Sequence, residues 1–414
     1  MDSTFSYQAK TKRASSVSAK YVGESATLSS ATFQKSTGRA SNLRMDDEGA
    51  DDSTPRSRSK LIKRNTQMTG LSILIANIVL IRSIHASKLP DLTDSGVGRL
   101  VQDIKAHRID LKALFTNPNT LKPYLGLDES FTQDIAPIPC HSHNDYWRTA
   151  PLFEALSNGC NSVEADIWQD PNDSTNLFVG HGKRALEPER TLQNMYLRPI
   201  QAILDRANEG TTTPLQGVFT TSPTTTLVLL VDFKTPSETL WSAFQDSLAP
   251  LREKGYLRTW NETSQSIIPG PLTIVASGDI DFTLITNETT NPHHDIFIDA
   301  PLLDLASSNT TYNVSNSYYA SSAFNPALGV KNLYPWQSPS TAQVDTLRAQ
   351  STAAQDVGLQ VRYWDTPAWP VSHMTGIWET LVERVGVDVL NVDDLELASR
   401  WDWRVCWRGL WGIC

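Results

Sequence analysis

Basic charge is scarce where the bulk of the chain lies. Residues 1 to 64 hold 12 Lys/Arg against 7 Asp/Glu, so the rest of this 414-residue chain carries −14 of a formal net charge of −9. General nucleic-acid binding needs basic surface to displace counterions, and this balance argues against it. Large apolar side chains are few in those first 64 residues, which hold 19 Ser/Thr and no hydrophobic period. Such a stretch cannot offset the entropy of ordering, and residues 1 to 65 are expected to form a disordered tail.

Long hydrophobic runs are missing too, apart from an uncharged, mostly apolar stretch from 68 to 81 that Arg82 closes. Spanning a bilayer takes about 20 residues, which residues 66 to 85 approach if the flanking arginine snorkels. A single-pass anchor over 66 to 85 is the expectation; a buried helix or a mitochondrial targeting element are the alternatives. Lys60, Lys63 and Arg64 would keep the tail cytoplasmic and place the main domain across the membrane, luminal or extracellular. Cysteine is limited to Cys140, Cys160, Cys406 and Cys414, all beyond the apolar run, as are the sequons at Asn172, Asn261, Asn287, Asn309 and Asn313. Cys406 and Cys414 could pair locally, although connectivity cannot be deduced from spacing. Cys140 reads as a small buried apolar residue.

What is present is an ordinary globular composition, 40% hydrophobic and 20% charged. Residues 86 to 133 read as a connector with one amphipathic helix over 97 to 115, where Leu100, Ile104, Leu111 and Leu114 fall near helical spacing. Apolar, β-rich runs follow at 135 to 140, 161 to 167, 226 to 232, 272 to 276, 295 to 299, 359 to 364 and 387 to 392, and spacing places one more strand at 317 to 323. Helical patterns separate several of them, at 192 to 208, 237 to 254 and 341 to 357. Strands apolar on both faces and separated by helices imply a parallel sheet. Eight of them predict an α/β fold, a (β/α)8 TIM-type barrel over 134 to 400, with a doubly wound open sheet as the alternative. Stretches 209 to 225 and 301 to 316 are inserted loops. The tail 401 to 414 carries four of the 12 tryptophans and is expected to cover the underside of the barrel.

The stretch from 135 to 168 organises the chemistry. His141 and His143 end the first strand, and Glu164 and Asp166 share one face of the second. His181 ends a short extended segment, LFVGH, while Asp232 and Lys234 share a face at the end of the third strand. Three carboxylates make a hard oxygen site for one divalent cation, Mg2+ or Ca2+. Two histidines beside it could act as general base and general acid, and Lys234 could balance a phosphate oxygen. Each short pattern is commonplace; their occurrence together, in order and at strand ends, is not.

That ordered set resembles the phospholipase C-like phosphodiesterase superfamily, which includes glycerophosphodiester phosphodiesterases. The segments PCHSHNDYWRTAPLFEAL, SVEADIW, LLVDFKT and VLNVDDLE are similar, over residues 134 to 400, to the fungal "altered inheritance of mitochondria protein 6" group. The resemblance implies acid/base roles for His141 and His181, and metal ligation by Glu164, Asp166 and Asp232. It implies phosphate contacts from Lys234 and Asn144, and a substrate pocket that includes His143 and Trp364. Where glycerophosphodiesterases carry His-Arg-Gly, this chain has His141-Ser142-His143-Asn144-Asp145, which leaves open the substrate and the division of labour between His141 and His143. The expectation is a metal-dependent phosphoric diester hydrolase acting on a glycerophosphodiester or phospholipid-type substrate, with mitochondrial association suggested by the group's name. Two alternatives remain. An amidohydrolase-type site could use His141-x-His143 with Asp393, though His293 and His294 precede the fifth strand rather than ending it. The other is a membrane-anchored barrel that serves as an inactive scaffold.

Overall fold

Strands form where the apolar runs lie. The computed structural model describes residues 95 to 403 apart from 127 to 130, 212, 237, 306 to 310 and 335. The expected tail over 1 to 65, the anchor over 66 to 85 and nearly all of the Trp-rich tail lie outside the described residues. Among those described, no helix is long and apolar enough to cross a membrane.

The strands are β1 (Ile138–Ser142), β2 (Cys160–Gln169), β3 (Leu177–Val179), β4 (Leu227–Phe233), β5 (Thr259–Asn261), β6 (Ser266–Ile268), β7 (Leu272–Gly278), β8 (Ile296–Pro301), β9 (Ser317–Ala323), β10 (Gln360–Trp364) and β11 (Leu390–Val392). Eight pair in parallel in the order β10-β9-β8-β7-β4-β2-β1-β11. The Val389 N–H donates to the Val361 carbonyl at 3.2 Å, drawing the two ends together, so the sheet is a nearly closed TIM-type barrel. β3 stands off this circle, antiparallel to the end of β2, and β5 and β6 form a separate hairpin.

Alternation along each strand divides the core into two layers. On β4, Val228 and Leu230 join Val275, Phe297 and Tyr319 in one cluster inside the barrel. Leu227, Leu229 and Val231 join the larger cluster between strands and helices. The same parity carries Asp232 inward at the end of β4. On β2 it sends Val163, Ala165 and Ile167 outward and Ser162, Glu164 and Asp166 inward.

Three local expectations are corrected. The single helix over 97 to 115 is two helices, Gly96–Lys105 and Leu111–Thr116. His107 breaks the run at a left-handed φ of 55°, and Asp110 starts the second helix by accepting the Lys112 N–H at 3.1 Å. An N-cap of this kind is worth about 1 kcal/mol. The first helix packs on the main core, in which Val97, Leu100 and Ile104 are buried. Cys140 is not a lone apolar residue: it forms a disulfide with Cys160, Cα–Cα 4.8 Å, joining β1 to β2. The bridge lies within a register shift between Ile138 and His141, a bulge that re-aims the residues following it. The helical pattern over 237 to 254 likewise divides into Glu238–Ser247 and Ala249–Glu253, where Pro250 occupies the first turn of the second piece. At the far end, Trp401 packs edge-on against Trp378 at 6.0 Å.

Candidate active site

Glu164, Asp166 and Asp232 each offer an oxygen, and those oxygens lie within 4.8 Å of one another. Asp166 and Asp232 are register partners on adjacent strands, so the backbone ladder itself holds the second and third carboxylates together. Gly278, the residue opposite Phe233 on β7, has φ +76°, and a Cβ there would collide with Asp232 Oδ1. Glycine is therefore required beside this carboxylate.

Lys234 is the cation within the cluster, 2.8 Å from Asp166 Oδ2 and 3.1 Å from Asp232 Oδ1. Asp166 Oδ2 also accepts the Tyr146 hydroxyl at 2.7 Å and lies 3.2 Å from His181 Nδ1. Its other oxygen, Oδ1, is buried without a partner. Ser277 donates to Asp232 Oδ2 at 3.3 Å, and the Asn144 N–H donates to Glu164 Oε2 at 2.9 Å. Asn144 makes that bond from a left-handed φ of 47°, a conformation asparagine tolerates better than most residues.

Crowding of like charge shows in the titration of these groups. Burial pushes the Asp232 carboxyl up to about 6, with Asp166 and Glu164 adding to the shift against the pull of Lys234. Burial and the Glu164 charge raise Asp166 as well. At Glu164 burial favours the neutral acid, but the facing His141 ring and the Arg362 charge overcome it and hold the carboxylate ionised. Three oxygen ligands, one of them an orphaned buried oxygen, fit a hard divalent cation. Burying such groups without one is costly.

The histidines divide sharply. His141 is fully buried; its Nδ1 lies 2.7 Å from Ser162 Oγ, which accepts the Tyr319 hydroxyl at 3.0 Å. Its Nε2 faces Glu164 Oε2 at 3.5 Å and makes no hydrogen bond. Burial, reinforced by the Arg362 charge, pushes the His141 pKa down to about 4, so the ring is neutral. His143, two residues on and on the same inward face, sits nearer the mouth with Nδ1 2.9 Å from Asp393 Oδ1. Burial works against its protonated form, yet the bond to Asp393 and the Glu164 charge raise its pKa. His181 has a side chain 58% exposed, and its ring leans on Trp147 at 5.3 Å. Trp364 stands at the end of β10, 40% exposed, on the same rim. Thus the six polar residues expected at the site, His141, His181, Glu164, Asp166, Asp232 and Lys234, are joined by direct contacts and by the ladder. His143 and Asn144 flank them, and Trp364 belongs to the surrounding wall.

Several participants carried no signal of their own. Tyr146 bridges Asp166 and Asn144 and reaches 3.2 Å from His181 Nδ1; it lies in the DYW turn, where a tyrosine is unremarkable. Ser162 is one more small residue in a strand. Arg362, hidden in the apolar QVRYW strand, bonds Asp299, Asn391 and Ser321 across the barrel interior. Only the strand alternation that aims Ser162 at the Glu164 face could have found one of them. Asp393, considered as a metal ligand, bonds His143, while His294 lies far from the cluster beside Glu262.

A parallel barrel with its charged residues gathered at the carboxyl ends of the strands is an α/β enzyme scaffold. The chain matches a family described as AIM6-like phosphodiesterase domain across residues 129–299, so it carries a phosphodiesterase domain, coarsely a phosphoric diester hydrolase. It is 37% identical over 280 residues to an altered inheritance of mitochondria protein 6 homolog of Arthroderma benhamiae, covering 65% of this chain and 85% of that protein. It is 32% identical over 338 residues to the altered inheritance of mitochondria protein 6 of Zygosaccharomyces rouxii, covering 76% of this chain and 81% of that protein. The chain belongs to the altered inheritance of mitochondria protein 6 family. Among solved structures, a glycerophosphodiester phosphodiesterase from Thermotoga maritima aligns with 64% of this chain and 97% of its own, at 13% identity and a TM-score of 0.32.

Proposed function

We propose that this barrel is a metal-dependent phosphoric diester hydrolase in which Glu164, Asp166 and Asp232 would hold one Mg2+ or Ca2+ ion, while His181 and His143 transfer protons. The observation that carries this reading is three carboxylates converging within 4.8 Å, two of them ion-paired to Lys234. When bound, the ion supplies Lewis acidity toward a phosphodiester oxygen. Lys234, held by Asp166 and Asp232, presents a point charge to another phosphate oxygen, and Asn144 lines the same side. His181 turns Nδ1 to Asp166, which leaves Nε2 to take the proton from an attacking water or substrate hydroxyl. His143, whose protonated form Asp393 favours, gives a proton to the leaving alkoxide. This shifts the second proton-transfer role from His141 to His143. His141, sealed from solvent and neutral, is suited to positioning Glu164. The proposed substrate is a glycerophosphodiester or phospholipid-type diester.

The test is hydrolysis of bis(p-nitrophenyl) phosphate by the full chain, with and without chelator. Chelation should abolish turnover and Mg2+ or Ca2+ restore it, and His181→Ala, His143→Ala or Glu164→Ala should each lower kcat by about 10²–10⁴. Full activity in His181→Ala or Glu164→Ala would overturn the reading. Full activity in His143→Ala alongside a dead His141→Gln would return the acid/base role to His141.

A further inference from the structure

Exposed large apolar side chains are not spread evenly over this domain. Among the described residues they are Trp147, Ile268, Leu303, Tyr334, Trp336, Trp364, Trp369 and Val371. Trp147 follows β1, Leu303 follows β8, Tyr334 and Trp336 follow β9, and Trp364, Trp369 and Val371 end or follow β10. All of these stand at the carboxyl ends of barrel strands, the end that bears the carboxylate cluster. Ile268 alone, in the β5–β6 hairpin that leads into β7, lies at the other end. The most exposed are Trp336 at 79% and Trp369 at 74%, and Tyr334 stacks on Trp336 at 5.1 Å and 8°.

Water-exposed tryptophans are costly to leave unburied, and a monomer normally keeps them apart or covers them. Here they sit on separate loops around a mouth, interrupted by polar residues, rather than as one flat apolar patch. A protein partner calls for a contiguous, closely packed centre. A bilayer interface accepts scattered rings, each with its apolar body in the acyl boundary and its N–H among the headgroups. The charge on the same rim favours one kind of bilayer. Exposed Asp279, Asp281, Asp365 and Asp393 outnumber the exposed Lys183, Arg184 and Lys331. An acidic rim repels anionic lipid but complements the outward quaternary ammonium of a choline headgroup, which aromatic faces also bind.

We propose that the mouth of the barrel docks on a neutral, choline-bearing lipid bilayer through this tryptophan rim. Docking requires no turnover, so it stands or falls separately from the phosphodiesterase reading. The test uses the full chain with phosphatidylcholine vesicles brominated in the acyl chains, which quench tryptophan emission only on contact. Wild type should show vesicle-dependent quenching that salt does not weaken and that anionic lipid does not strengthen. A Trp336→Ala/Trp369→Ala double variant should lose at least about half of it, with its circular dichroism and melting temperature unchanged. Hydrolysis of a small soluble phosphodiester should be the same in both, and loss of that activity would bear on the catalytic reading alone. Three results would overturn the proposal: no quenching in wild type, undiminished quenching in the double variant, or a vesicle-free self-association that the double variant abolishes. The last would mean that a second copy of the chain covers the rim.

Discussion

Two buried groups of charges lie in one barrel and differ in their arithmetic. Across the second half of the strands, Arg362 faces Asp299 at 2.9 Å, one cation to one anion. Asn391 and Ser321 accept its remaining hydrogen bonds at 2.8 and 3.1 Å. In the first half, Lys234 is the only lysine or arginine among the described residues ion-paired to the cluster, through Asp166 and Asp232, while Glu164 is reached by the more distant Arg362 charge. Each group leaves one carboxylate oxygen without a partner, Asp299 Oδ1 and Asp166 Oδ1, so an orphaned atom does not by itself separate a structural site from a functional one. Balance of charge does. The first group matches one anion to one cation within the fold, whereas the second sets three carboxylates against one ion-paired lysine, an excess of negative charge that a divalent cation would neutralise.

Removing the guanidinium tests the balanced group and should have the largest effect. Arg362→Met leaves Asp299 buried and unpaired, and is expected to cost about 3–5 kcal/mol in urea unfolding, or to prevent folding. A loss under about 1 kcal/mol would show that the pair is not structural.

A pH series sharpens the comparison from the other side. Burial pushes the Asp232 carboxyl up to about 6, and a cation needs it ionised, so binding must expel its proton. Affinity for Mg2+ or Ca2+ should therefore rise about tenfold per pH unit below 6 and level off above it. A flat affinity between pH 5 and 7 would exclude Asp232 as a ligand.

The smallest effect is expected where an unbalanced charge is removed. In chelator, Asp166→Asn relieves repulsion from Glu164 and leaves Lys234 paired with Asp232, and should change stability by less than Arg362→Met does. A loss as large as that for Arg362→Met would mean that the carboxylates, too, are structural.

How much of this could be read in advance follows from the same contrast. The carboxylates and Lys234 announce themselves because E-x-D and D-x-K at strand ends place both charged residues of each pair on one face; seven of the eight barrel strands stand where apolar β-rich runs lie, and β9 stands where spacing alone placed a strand. Arg362 does not, because a single arginine inside QVRYW looks like a surface residue until the barrel closes and turns it onto Asp299 and Asn391. The partner of Cys140 was hidden because pairing depends on how β1 and β2 come together, which four cysteines cannot specify. The difference between His141 and His143 is one of depth along a single inward face. Alternation assigns both to the interior without saying which is sealed. The break after Lys105 was more accessible, since Asp110 ahead of an apolar turn is a helix start signal.

Titration calorimetry on the chelator-treated full chain puts the central claim to its most direct test. The account predicts one Mg2+ or Ca2+ bound per chain, with proton release near pH 6 and binding lost in a folded Asp166→Asn variant. No divalent binding by the wild type, or equal binding by wild type and variant, would contradict it.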